Sequence, residues 1–298
     1  MKTTDLPNLG IGLRILSGLL VAGMFVCVRA ASEEVPLGEI VFFRSFFALI
    51  PLIIFLWVRH EFPRGLATKR PFDHLLRSGF GALALFASFA AITRLNVAEA
   101  VLVAQLSPII LAAIAVPWLS ERLTIWRMGG IGLGFLGVIV LVWPELGANG
   151  DDDERYFGYV LGLVAAALTA FALIMVRSLN RTESPGAIAL YFVLASAIGA
   201  IFTLPWGWVI PDGFTWTLLI GAGLFGGFAH IAMTLAFRYA EASRLASFEY
   251  IALLWPVAAD LLIFKLPLSA TFLLAAPLVL AGAAVAMIES SAKMETTR

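Results

Sequence analysis

Within the long apolar runs of this 298-residue chain stand a few side chains that could do chemistry: Arg44, Gln105, His230, Glu249, Tyr250 and Asp260. An ionisable group at bilayer depth is expensive, so each is a hypothesis of function. A guanidinium such as Arg44 suits a substrate carboxylate, which it can grip through parallel N–H bonds, but it could also tie helices together by bonding backbone carbonyls. Glu249 could meet a substrate ammonium group or carry a proton. Helical geometry places Asp260 on the same face as Glu249, with Pro256 between them, so Asp260 is a second candidate for proton coupling. His230 could contact substrate, shuttle protons with Glu249, or simply bond a neighbouring helix. Tyr250 offers an aromatic wall with a polar tip beside Glu249. No histidine pair at metal spacing, no G-x-S-x-G motif and no protease-like acid pair is present, so no enzyme, metal or cofactor is expected. No nucleic-acid partner is expected either.

The elements that must hold these groups follow from composition. With 61% hydrophobic and 13% charged residues, the chain is far more apolar than a soluble domain. Its charges gather in short breaks between runs of roughly 18–23 residues, the length a helix needs to cross the hydrocarbon layer. The predicted spans are Ile11–Val28, Leu37–Val58, Leu75–Ile92, Val97–Leu119 and Trp126–Trp143, then Gly158–Val176, Gly186–Trp206, Trp216–Ala236, Leu245–Phe264 and Ala270–Ile288. The expected fold is an all-α membrane protein of ten transmembrane helices. Residues 145–157, rich in acids and glycine, read as an exposed periplasmic linker between residues 1–144 and 158–298.

Fifteen of the twenty lysines and arginines fall on one side of this arrangement, which places both termini in the cytoplasm. Five helices per half is an odd number, so the second half enters the membrane from the opposite side. The halves are predicted to be inverted repeats, an architecture recurrent in secondary transporters, with a substrate site between them near the midplane. The fourth and ninth spans echo each other, because Ala98 and Pro108 have the spacing of Ala246 and Pro256. Each proline should kink its helix, since neighbours inside a bilayer protein can re-satisfy the freed backbone groups. These two kinked helices are expected to form opposite walls of a central cavity, with Gln105 on the fourth.

The repeats, the segment from Glu39 to Ala48 around Arg44, and Pro108 followed by Leu119-Ser-Glu-Arg-Leu123 resemble the drug/metabolite transporter superfamily in its EamA-type branch. The second half departs from that pattern: no glutamate follows Pro256 in Phe264-Lys-Leu-Pro-Leu-Ser269. The resemblance implies a solute carrier of the bacterial inner membrane, similar to amino-acid exporters, acting on a small-molecule substrate in the lipid bilayer and able to work as a monomer. A multidrug, nucleoside or other metabolite carrier is the alternative.

Remaining signals read as packing. Gly132-Leu-Gly-Phe-Leu-Gly137 matches a dinucleotide fingerprint but lies inside an apolar helix, where no strand precedes it. The pairs Gly130/Gly134, Gly158/Gly162 and Gly223/Gly227 suit close helix contact. Cys27 is a small packing residue, and His60 and His74 belong to a basic cytoplasmic loop.

Overall fold

A computed structural model of the chain describes residues 6–63, 66–119, 125–146, 153–179, 182–239, 245 and 250–295. Among these residues every regular element is helical: α1 (Pro7–Ala31), α2 (Leu37–Val58), α3 (Pro71–Ile92), α4 (Val97–Ala104), α5 (Leu106–Leu119), α6 (Ile125–Val142), α7 (Asp153–Leu179), α8 (Pro185–Ile201), α9 (Gly213–Tyr239), α10 (Leu254–Leu262) and α11 (Ala270–Glu295), with short 3-10 turns between some of them. Proline opens α1, α3 and α8, where its missing N–H costs nothing. Ser184 caps α8 by accepting the Ala187 N–H at 3.1 Å.

Five of these helices, α1, α2, α3, α7 and α9, are long and apolar enough to cross a membrane, and apolar stretches of α4–α5, α6, α8 and α11 are shorter. Each of the ten predicted spans holds helix, and five of them do so at full length among the described residues. The seventh span ends at Ile201 rather than Trp206, because the chain turns through Leu204-Pro-Trp206 into Gly207 at φ 88°. The ninth is not one continuous helix: a 3-10 turn at Tyr250–Leu253 leads into the nine-residue α10. Helix α7 begins at Asp153, with two acids in its first turn, where the helix dipole favours them.

The fourth span breaks where its proline dictates. Pro108 cannot donate to the carbonyl of Ala104, and the hydroxyl of Ser107 takes that carbonyl at 2.8 Å instead. The chain tightens through Gln105, whose N–H is shared between Val101 and Leu102 at 3.2 Å each, and restarts as α5 at Leu106. Helix α10 likewise starts two residues before its proline, Pro256.

Six helices, α1, α2, α3, α7, α8 and α9, surround the centre, while α6 and α11 pack on each other. Glycine sets how close these helices lie. A Cβ on Gly282 of α11 would stand 2.6 Å from the Gly130 carbonyl of α6, and a Cβ on Gly223 of α9 would stand 2.9 Å from the Arg44 carbonyl of α2. The outside is apolar, with Ile54, Trp57, Ile139, Ile198, Phe202 and Leu274 exposed. Such a surface suits lipid as its solvent.

Polar contacts fasten both ends of the bundle. At the end that carries the α1–α2 and α3–α4 connections, the Asp260 carboxylate is buried and accepts the N–H groups of Val97 at 3.1 Å and Ala98 at 2.7 Å. Glu99 reaches back to the Asn96 N–H at 3.3 Å and receives Arg155 at 3.1 Å. Glu39 accepts the Val209 N–H at 2.9 Å, and Arg94 meets Glu154 at 2.7 Å. At the opposite end, Arg70 donates to Ser178 at 2.7 Å, Thr68 donates to Glu183 at 3.1 Å, and Tyr191 donates to the Leu66 carbonyl at 2.7 Å.

Two measurements check this account. Asp260→Ala leaves two buried N–H donors unpaired and is expected to cost about 1–3 kcal/mol, read as a lower unfolding temperature in detergent, with Asp260→Asn in between. An unchanged unfolding temperature would remove the capping role. Gly223→Leu forces α9 off α2 and is expected to cost about 1–3 kcal/mol or more, whereas Gly199→Leu, where a Cβ meets nothing within 4 Å, should be silent.

Candidate functional site

A cavity of about 260 Å³ opens between the six central helices. That is near the lower end of small-molecule pockets, which run from about 300 to 1,000 Å³. Its walls are mostly apolar or small: Val21 and Met24 of α1, Ala84 and Leu85 of α3, Leu173 and Val176 of α7. The polar groups are few. Arg44, Arg77 and His230 line it, with Ser17, Ser88 and Thr169, and no carboxylate stands among the described lining residues.

Arg44 is placed by α2, as its eighth residue, and is 3% exposed. Its Nε donates to the Met24 sulfur at 3.4 Å, and Nη1 has no partner among the described residues. Helix α9 brings the space this side chain needs. A Cβ on Gly226 would stand 3.0 Å from Nη2 of Arg44 and 3.0 Å from the Met24 sulfur. His230, one turn further along α9, lies edge-on to the Phe192 ring at 6.1 Å. Its backbone carbonyl accepts the Thr234 hydroxyl at 2.8 Å.

Arg77 comes from α3, where a charge count alone would place it among the basic residues of the cytoplasmic side. In the structure it turns into the cavity instead, with its guanidinium 4.3 Å from the Phe192 ring centre. Its Nε and Nη1 are buried without a partner. A Cβ on Gly81 would stand 2.6 Å from Nη1, so glycine one turn along clears room for this guanidinium too. That i, i+4 pairing of arginine and glycine is the signal in the sequence that points to Arg77. His74 is a second residue whose setting differs from the expectation of a loop histidine: it is 3% exposed in α3, 3.7 Å from Glu183 and tilted against the Tyr191 ring at 4.5 Å.

Of the residues singled out from sequence, Arg44 and His230 therefore meet in one cavity. Gln105 does not line it; it sits at the break between α4 and α5. Pro108 and Pro256 lie in the broken segments, and Asp260 is the cap on α4. Glu249 lies outside the described residues, and Tyr250 is described only as the start of a 3-10 turn. The walls come from α1, α2, α3, α7, α8 and α9, because α4 is held at the bundle end by Asp260 and packs with α5 on α7. What this enclosure can do is hold a small solute by its anionic groups within an otherwise apolar shell. No group of three or more potential metal ligands occurs among the described residues.

Comparison with known proteins agrees with a carrier. Residues 8–143 match the EamA-like transporter family. The chain is 30% identical over 256 residues to a pseudopaline exporter of Pseudomonas aeruginosa, covering 84% of this chain and 86% of that protein. It is 27% identical to an S-adenosylmethionine uptake transporter of Rickettsia felis, over 86% of this chain and 84% of the relative. A riboflavin transporter of Brucella anthropi is 28% identical, over 88% and 92% of the two chains. A solved crystal structure shares the fold at a TM-score of 0.66 and 21% identity, covering 94% of this chain and 96% of that one. These similarities and the apolar multi-helix body identify the chain as a multi-pass membrane protein of the EamA-like transporter family, within the drug/metabolite transporter superfamily.

Proposed function

We propose that the chain is a secondary carrier that exports amino acids or similar small metabolites across the bacterial inner membrane by alternating access. The observation that carries this reading is Arg44, buried at the cavity wall with an unpaired N–H donor and suited to a carboxylate. The cavity lies among helices from both halves of the chain, which fits rocking of residues 1–144 against residues 158–298 as inverted repeats. The matched restarts of α5 and α10 two residues before Pro108 and Pro256 support the same internal repetition. Both termini are cytoplasmic in this reading, so the end fastened by Asp260, Glu99 and Arg155 faces the periplasm. One chain holds both halves and works as a monomer.

The rival reading, a carrier for cationic drugs, is disfavoured by two guanidiniums and the lack of a carboxylate among the described lining residues. The relatives include an exporter and an uptake transporter, so direction rests on the solute gradient and its coupling.

The test is counterflow of radiolabelled amino acids, nucleosides and cationic dyes in liposomes containing the purified protein, with and without a pH gradient. Saturable amino-acid exchange is expected. Arg44→Gln removes charge-assisted bonds worth about 1.5–3 kcal/mol and should raise the half-saturating concentration by about 10- to 100-fold. Dye or nucleoside flux without amino-acid flux would overturn the reading. Proton coupling is assigned to Glu249: Glu249→Gln is expected to abolish pH-driven flux and leave exchange intact, and loss of both would give Glu249 a binding or structural role.

A further inference from the structure

The two guanidiniums reach the cavity from opposite ends of the bundle. Helix α2 begins at Leu37 at one end and carries Arg44 seven residues in; α3 begins at Pro71 at the other and carries Arg77 six residues in. At 1.5 Å per residue, each Cα lies about 9–10 Å from its own end, in helices about 33 Å long. The side chains therefore approach one cavity from above and below its middle. Each is backed by a soft, uncharged group, the Met24 sulfur at 3.4 Å for Arg44 and the Phe192 ring at 4.3 Å for Arg77. Each lies against a glycine, Gly226 or Gly81, that leaves no Cβ in its way.

Neither cation is neutralised by a carboxylate among the described cavity residues, and both keep buried N–H groups without partners. A structural arginine in a membrane bundle spends its donors on carbonyls or acids, as Arg29 does on the Ile92 carbonyl at 2.8 Å. These two do not. They stand on different helices against different neighbours, Met24 for Arg44 and Phe192 for Arg77, and His230 lines the same cavity, so the unmet donors of two separate cations face one space.

We propose that Arg44 and Arg77 form a two-cation anion site, so that the transported solute carries two anionic groups, carboxylate or phosphate, joined by a short spacer. This rests on the carrier reading above and names its substrate class. Arg44 takes one group and Arg77 the other, while the apolar wall from Ala84 to Leu173 covers the spacer.

The test is competition in the counterflow assay. Linear α,ω-dicarboxylates and acidic amino acids are compared with their mono-amides, which match them in length and lack one charge. The wild-type protein is expected to bind the dianions at least 10-fold more tightly than the mono-amides. Arg77→Gln should bring that ratio to about one, and Arg77→Lys should keep part of it. Replacing one carboxylate by a phosphate monoester identifies which oxyanion each arginine prefers. A wild-type ratio near one overturns the proposal without any variant, as does a ratio unchanged in Arg77→Gln. Saturable monoanion flux with no dianion preference would leave the carrier standing and remove only the two-cation site, whereas the absence of any solute flux would remove the carrier reading itself.

Discussion

Burying positive charge in a mostly apolar cavity is the constraint to which the centre of this protein answers. A guanidinium in an apolar enclosure needs oxygen acceptors or a π face, and among the described residues these two touch only a thioether and one aromatic ring. Much of the surrounding packing serves to hold the two arginines in that state. Gly223 lets α9 lie on the α2 backbone at the Arg44 carbonyl, and Gly226, nearly one turn on, clears the guanidinium itself. Helix α8 contributes Phe192, which faces both Arg77 and His230. The favourable partner for such a pocket is an anion, and none of the described lining residues supplies one.

The two ends of the bundle obey a different rule. There, backbone groups and long polar side chains meet one another across elements far apart in sequence, as Asp260 does with Val97 and Ala98, or Glu183 with Thr68. These contacts are short, directional and few. Where such a pair is solvent-exposed, as Arg94 with Glu154 is, the bond exchanges with water at little net cost, whereas the buried Asp260 carboxylate has no such substitute for its two N–H partners.

Most of the architecture was legible in the sequence because the bilayer imposes a length and a polarity on every span. The apolar runs located α1, α2, α3, α6, α7, α9 and α11 to within a few residues at most ends, and the glycine pairs marked real close contacts. The positions of the breaks were less legible. A proline announces a disturbance, but the break fell at Gln105, three residues earlier, because the lost bond reaches back to Ala104. Arg77 and His74 were hidden by their place near a basic loop: charge counts assign such residues to the water phase, while only the rotation of α3 decides that they turn inward. The Asp260 cap was equally hidden, since it joins residues more than 160 positions apart.

The hydroxyl of Ser107 on the Ala104 carbonyl has a mechanical meaning. In an unbroken helix, bending one half against the other stretches or ruptures backbone bonds across the joint. At this joint the bond that would resist is absent by covalent necessity, and its orphaned acceptor is served from within the same turn by a group that travels with it. The segment can therefore flex without exposing a bare carbonyl to the hydrocarbon. Stiffness along the fourth span is then set by how tightly its two pieces are clamped by neighbours, α7 chief among them, and side-chain changes there can alter it while leaving the backbone alone.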